Sequence, residues 1–524
     1  MIRRRDSPES LRSPPRPVTT KVVVGAAAPR RPSMTTTARA VRRRVVSLDR
    51  QAPPAAPPRS PPPTTPTSPT TARENAVNVV WLVRRDLRLH DNAALARAAA
   101  LARERGSRLV VCYIDAPEDD GEAPSTSVDW RAWGRGKEVG STTTTMAADL
   151  ARLGVPARAA ASWRGGTSWT PGGCSRLWQR EALRALDADL RDRYGVGVVW
   201  LRGPRLAALL GLLASTGAGD VVLSRRYEPS EVRADARLAA GLTSRGVRLH
   251  PVSTLLLREP WEVAIWPGRG KRGGAFGHFG TLTPFLRTCE ELGWPEPAFH
   301  APPPTDDLWW VGTPDSLAPG FVVSTVDDLD MVPLPLRSST GRPIDWTSQI
   351  LASWPGGFGE AAASSALDAF LSTGGMSRYE SDRSFADGRA VSKLSPFLHF
   401  GQLSPRVMAS RIRRAGGREV SKTFWRRLVW RDLAYWQMWH YPSVGELPLR
   451  PAYFDTTLVA GDEERDRVAA WQRGATGYPL VDAGMRELWT TGWMQQNVRM
   501  AAAALLVEVL GCDWRHGARW FHDT

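Results

Sequence analysis

Cysteine is scarce. The four in 524 residues (Cys112, Cys174, Cys289 and Cys512) lie far apart, with no CxxC pair and no histidine at metal-ligand spacing. That excludes a disulfide scaffold, a zinc finger and a cysteine-held iron–sulfur cluster, and leaves ordinary reduced thiols. No apolar run approaches the roughly 18 residues of a membrane span, so no membrane partner is expected. No GxGxxG follows the first strand-like run, so a dinucleotide fingerprint is missing. Acidic residues are nearly absent from residues 1–73, which hold fifteen Lys/Arg against three Asp/Glu. The net charge of +16 is therefore largely a property of that leader. The rest of the chain has 54 basic and 50 acidic residues. A nucleic-acid argument must rest on local patches instead.

What is present suggests several segments. The length allows two or three domains with full cores. Residues 1–75, rich in Arg, Ser, Thr and Pro, cannot bury enough apolar surface to fold. Their composition fits a transit peptide, with chloroplast as the expected destination and nucleus or mitochondrion as alternatives. From 76 to 257, apolar strands (VNVVWLV, RLVVCYI, VGVVWL, DVVLS and a fifth at Gly246–Leu249) alternate with helical stretches at Leu177–Arg193, Arg205–Ser215 and Ser230–Ser244. That alternation predicts a doubly wound parallel α/β domain of Rossmann-like type. Residues 115–176 break the pattern and read as an irregular insert. Residues 258–357 are proline-rich and read as an interdomain linker, helical only near Gly277–Leu292. From 358 to 524 the chain reads as all-helical.

Two stretches of that helical part carry chemistry. In RYESDRSFADGRAVSKLSPFLHFGQLSP (Arg378–Pro405), small and hydroxyl residues precede Pro396 and a helix. Such a loop can aim N–H groups, hydroxyls and the Lys393 ammonium at a phosphate. In SKTFWRRLVWRDLAYWQMWHYP (Ser421–Pro442), a Trp-rich helix follows Arg406, Arg411, Arg413, Arg414 and Arg418. Basic residues interleaved with aromatics suit a face that grips phosphates and stacks bases, or a solvated basic face over a Trp core. Near the end, Pro479 suits a first helical turn and Gly492 a left-handed C-cap. A second helix over Trp493–Leu510 bears the polar run Gln495, Gln496, Asn497 and Arg499, which either lines a polar pocket or lies exposed.

The strings RRDLRLHDN, LVWRDL, TGYPLVDAGMRELWTTGWM and DWRHGARWF resemble the photolyase/cryptochrome family over roughly 77–524. The resemblance implies a C-terminal FAD-binding domain and blue-light chemistry, with a second antenna chromophore, a folate or a deazaflavin, in some relatives. It implies that Tyr379, Val391, Ser392, Lys393, Leu394, Ser395, Phe424, Arg427, Arg431, Gln496 and Arg499 border FAD, with Gln496 near flavin N5. Trp514 would be the middle member of an electron-transfer chain. Trp430, Met500, Arg383 and Arg427 would meet damaged DNA, the implied partner of a monomer. The implied activity is repair of cyclobutane pyrimidine dimers by light-driven electron transfer from reduced FAD; the alternative is a cryptochrome photoreceptor without repair.

Departures bear on that choice. Arg427 stands where repair enzymes carry a glutamate, Gln496 where they keep an asparagine, and Val391 where threonine is common. The sequence ends at Thr524, before the two aspartates, the asparagine and the tryptophan that follow in the family. A chain without them is expected to forfeit several charge-assisted bonds to the flavin, each worth about 1.5–3 kcal/mol.

Overall fold

The computed structural model describes residues 77–117, 169, 171–263, 279–294, 301–304, 309–310, 321–332, 336–337, 340–388, 391–450, 453 and 458–524. The leader 1–75 and most of the 115–176 insert lie outside the described residues. The described ones all fall in one unit, Thr67–Thr524.

The first half is built from five parallel strands. β1 (Asn78–Leu82) leads into α1 (Ala93–Glu104), whose N-cap Asn92 accepts the N–H groups of Ala94 and Leu95. Next come β2 (Arg108–Asp115), α2 (Gly173–Tyr194), β3 (Val199–Arg202), α3 (Arg205–Thr216), β4 (Ala218–Ser224), α4 (Pro229–Thr243) and β5 (Arg248–Val252). The strand order is β5-β4-β1-β2-β3, all parallel. Alternation along the strands explains the two layers. Val79, Trp81, Leu109 and Val111 face α1 and α2, whereas Val80, Leu82, Val110 and Cys112 face α3 and α4. A strand buried on both faces has to read as an unbroken apolar run, and these do. The doubly wound expectation holds; α2 starts four residues earlier than the periodicity predicted, and β5 starts two later.

The proline-rich stretch is more than a surface wrap. It supplies α5 (Leu282–Glu291) and two short strands. β6 (Trp309–Trp310) pairs with β2, and β7 (Val322–Val323) runs antiparallel to β3 and extends the sheet. Phe285, Leu286 and Leu329 from this stretch join the main core. A two-stranded ribbon, β8 (Leu336–Arg337) with β9 (Pro343–Ile344), follows.

The second half is helical: α6 (Thr347–Ala352), α7 (Glu360–Ser372), α8 (Gly375–Asp382), α9 (Ser395–His399), α10 (Pro405–Arg414), α11 (Gly417–Val420), α12 (Lys422–His440), α13 (Asp462–Gln472), α14 (Pro479–Thr491), α15 (Gln496–Ala504) and α16 (Trp514–Asp523). α12 is its axis. Phe424, Trp425, Leu428, Val429, Leu433 and Trp436 are buried in the core that also takes in α1 and α2. Gly492 caps α14 at φ +68° and Pro479 opens it, both as expected. The helix predicted from Trp493 begins three residues later, because the Gln495 side chain caps it by accepting the Val498 N–H. It passes into a π-turn at Leu505–Val509.

A polar seam joins the halves. Arg88, 2% exposed, donates to the carbonyls of Gly401 (2.6 Å) and Asp91 (2.8 Å). The Leu89 N–H donates to Glu360 at 2.7 Å, and the Trp178 indole donates to Gln402 at 3.1 Å. The Arg85–Asp86–Arg88 cluster read at the strand end is thus structural. Asp86 is fully buried and accepts from Arg84 N (2.9 Å) and Trp81 Nε1 (3.2 Å). Among the described residues no helix is long and apolar enough to cross a membrane.

Candidate functional site

The loop before α9 is shaped by its backbone. Gly388 has φ +68°, and a Cβ there would press on the Trp493 ring at 2.9 Å. Lys393 has φ +51°, a left-handed conformation that costs a non-glycine residue roughly 1–2 kcal/mol. Its ammonium lies 4.4 Å from the centroid of the Trp493 ring. The loop is therefore held against the residues that lead into α15. Leu394 is buried as an anchor, while Lys393 and Ser395 are exposed and Val391 and Ser392 half-buried. This donor set, two hydroxyls and an ammonium at a helix start, fits the phosphates of a dinucleotide cofactor.

Gln495 ties the same region to α8. It is 1% exposed, and its amide donates to the Arg383 carbonyl at 2.6 Å. It is the buried member of the polar run; Gln496, the residue expected to face the flavin, is exposed in the first turn of α15. The capping role turns Gln495 inward and its neighbour outward. Tyr379 and Phe424 meet edge to face at 5.1 Å inside the core, where they support the loop from below. Glu380 accepts from Thr423 Oγ1 at 2.6 Å and from Ser421 Oγ at 3.2 Å, which fixes α8 on the start of α12. Those bonds hold its carboxyl below the usual range against the opposing, larger effect of burial.

Arg431, expected to reach the flavin phosphates, is committed elsewhere. Its guanidinium donates to the carbonyls of Leu255 (2.5 Å) and Leu398 (3.2 Å), so it stitches the seam. Arg499 lies over the Phe521 ring at 4.6 Å, and burial lowers its pKa.

The outward face differs in character. Trp430 is 50% exposed and Met500 63% exposed, on helices whose other apolar side chains are mostly buried. Phe385, not anticipated from the sequence, is 60% exposed just past α8. Arg383 and Arg427 each bury an Nε that has no hydrogen-bond partner. An exposed indole with arginines near it in the chain can stack a base and take a phosphate.

Trp514 is half-buried at the first turn of α16. A feature the sequence reading missed is a stacked indole pair, Trp489 and Trp520, with centroids 5.8 Å apart and planes 9° apart. The two lie 31 positions apart on different helices, so no local pattern signals the stack. Among the described residues no group of three His, Cys, Asp or Glu could hold a metal ion.

Comparison with known proteins agrees with this architecture. Residues 424–524 match the FAD binding domain of DNA photolyase, and residues 78–138 and 146–305 match the DNA photolyase domain. The chain is 34% identical to a deoxyribodipyrimidine photo-lyase of Agrobacterium fabrum over 358 residues, covering 67% of this chain and 68% of that protein. It is 28% identical to cryptochrome-1 of Arabidopsis thaliana over 459 residues, 85% of this chain but only 55% of that one. The crystal structure of a class III photolyase from Agrobacterium tumefaciens superposes with a TM-score of 0.64 at 28% identity, over 87% of this chain and 78% of that one. The chain belongs to the photolyase/cryptochrome family and carries that family's FAD-binding domain.

Proposed function

We propose that the protein is a blue-light-dependent flavoprotein that repairs cyclobutane pyrimidine dimers in DNA. FAD supplies the photochemistry, its excited reduced form donating an electron to the lesion. The protein's share is binding and orientation. Ser392, Lys393 and Ser395 hold the cofactor phosphates, and Gln495 fixes the start of α15 against α8. Trp430 and Met500 receive the extruded bases, while Arg383 and Arg427 take the strand's phosphates. A damaged pair costs little to extrude because it already stacks poorly. The observation that carries this reading is Trp430, half exposed on an otherwise core-forming helix. An indole left in water on such a helix is best explained by a partner that covers it. A second chromophore, a folate or a deazaflavin, would add light absorption to the same reaction.

One observation favours a photoreceptor without repair. Arg427 has no proton to give at neutral pH, so it cannot act as an acid toward a lesion at that position. A single experiment separates the two readings. The purified protein is illuminated with blue light in the presence of an oligonucleotide carrying one dimer, and dimers and flavin redox state are followed together. Loss of dimers supports repair. Unchanged dimers alongside clear flavin photoreduction leave the photoreceptor.

A further inference from the structure

At the carboxyl ends of β1 and β2 lies a crevice lined by Arg84, Arg85, Arg176, Arg205, Arg226 and Glu231, among others. Chain order places it where ligands bind in open α/β sheets. β1, β2 and β3 step one way across the sheet, β4 and β5 the other, and the strand ends part at that reversal.

Its charge is unbalanced. Asp235 is shared between Arg84 and Arg226, and Glu228 and Glu231 both pair with Arg85. Arg176 donates to the carbonyls of Pro171 (3.1 Å) and Met331 (3.5 Å). Arg84 is 7% exposed. One of its terminal nitrogens reaches Ser224 O (3.3 Å) and Asp235 (2.5 Å); the other, Nη2, is buried with no hydrogen-bond partner. A guanidinium stays charged at working pH, so an orphan N–H of this kind calls for an external acceptor, and a planar oxyanion fits its fork.

The same turn of chain is locked to the cofactor loop. The Arg85 carbonyl lies against Gly401, which has φ +78°, closely enough that a Cβ at 401 would overlap it. The Leu87 N–H donates to Phe400 O at 3.3 Å, Arg88 donates to Gly401 O at 2.6 Å, and Arg431 holds Leu398 O from the other side. Between this strip and Lys393 stands only α9, five residues long, with Leu394 and Phe397 buried beneath it.

We propose that the crevice binds an oxyanion, a phosphate or carboxylate group, and that its occupancy is transmitted along Arg84–Arg88 and Leu398–Gln402 to the 391–395 loop, so that the anion and FAD tighten each other's binding. An anion on Arg84 fixes the 84–88 turn, and the loop then has less freedom to lose when FAD orders it. Reciprocity follows from linkage. This rests on reading 391–395 as the FAD phosphate loop.

The test uses the full chain freed of flavin and titrated with FAD, with inorganic phosphate as the crevice probe. Ionic strength is held constant with chloride, and flavin fluorescence is the readout. Saturating phosphate is expected to lower the FAD dissociation constant about fivefold, the low end of typical coupling. Competition at the loop has the opposite sign. Arg84→Gln and, as a variant that leaves Arg84 bonded to Asp235, Arg176→Gln are expected to bind FAD as the parent does without phosphate and to lose the gain. An FAD affinity that phosphate leaves unchanged or weakens overturns the coupling, as does a gain that survives in both variants. Failure to bind FAD in either buffer removes the flavin reading itself, and the coupling with it.

Discussion

The Asp432 carboxylate accepts the backbone N–H of Leu257 at 2.9 Å, and the neighbouring Arg258 N–H at 3.1 Å, on the same oxygen. A side chain from the middle of α12 thereby pins the segment that leaves β5. The other carboxylate oxygen is buried with no hydrogen bond, although Arg431 stands 3.7 Å away. Burial pushes the Asp432 pKa up to about 7, against the opposing pull of Arg431 and the two N–H groups.

This sets a pH dependence with a definite sign. The folded state holds the Asp432 proton more tightly than the unfolded chain does. Its contribution is therefore most favourable below about pH 4, falls as pH rises toward 7, and levels off above that. Asp432→Asn removes the titration and keeps one acceptor for the two N–H groups. Urea midpoints between pH 5 and 8 are expected to decline less in the variant than in the parent, the difference reaching on the order of a few kcal/mol. Parallel curves would show that Asp432 ionises without cost.

Gly401 offers a test of the seam. Alanine there must adopt φ +78° and place its Cβ into the Arg85 carbonyl. Gly106→Ala is the control, since it also has positive φ, +61°, but nothing within 4 Å of the added atom. The control is expected to lose about 1–2 kcal/mol. Gly401→Ala is expected to lose clearly more, because backbone on both sides must move. Chemical denaturation of the two variants checks this, and equal losses would mean that the halves yield easily at this point.

Much of this was readable in the chain, for physical reasons. Strands buried on both faces have to be continuous apolar runs, and Val79–Leu82 and Leu109–Ile114 are. Asn92 and Gly492 sit where caps demand them. What escaped has its cause at long range. Arg431 looks like a free cation in LVWRDL, yet its partners Leu255 and Leu398 lie 176 and 33 positions away. Gln495 and Gln496 are indistinguishable by type. Which of them turns inward depends on where α15 begins, and that is decided by the bond to Val498. β7 joins the sheet through two residues, too few for any alternation to show.

Lys393 combines backbone strain with an exposed ammonium. Lys393→Gly relieves the strain of φ +51° but removes the charge aimed at the cofactor phosphates. Stability is expected to stay within about 1 kcal/mol of the parent, since the gain in backbone fit and the lost contact with Trp493 offset each other. FAD affinity is expected to fall about tenfold or more, the cost of one charge-assisted bond. Thermal melts and flavin titration read the two effects separately. Unchanged FAD affinity would take Lys393 out of the site.

Two tryptophans on α12, six residues apart, should fail in opposite ways. Trp436 is 3% exposed, packs edge to face on Phe279 at 5.0 Å and donates its indole N–H to Val263 O at 3.0 Å. Truncation to alanine opens a cavity and orphans that carbonyl, at an expected cost of about 3–5 kcal/mol. Trp430 is half exposed, so Trp430→Ala should cost well under that. What it removes is the stacking surface for a base, worth about 1–3 kcal/mol of nucleic-acid affinity. Binding of a dimer-containing oligonucleotide is therefore expected to weaken about tenfold in Trp430→Ala while its melting temperature stays near the parent's. A Trp430→Ala protein that binds such DNA as tightly as before would assign the exposed indole to some other partner.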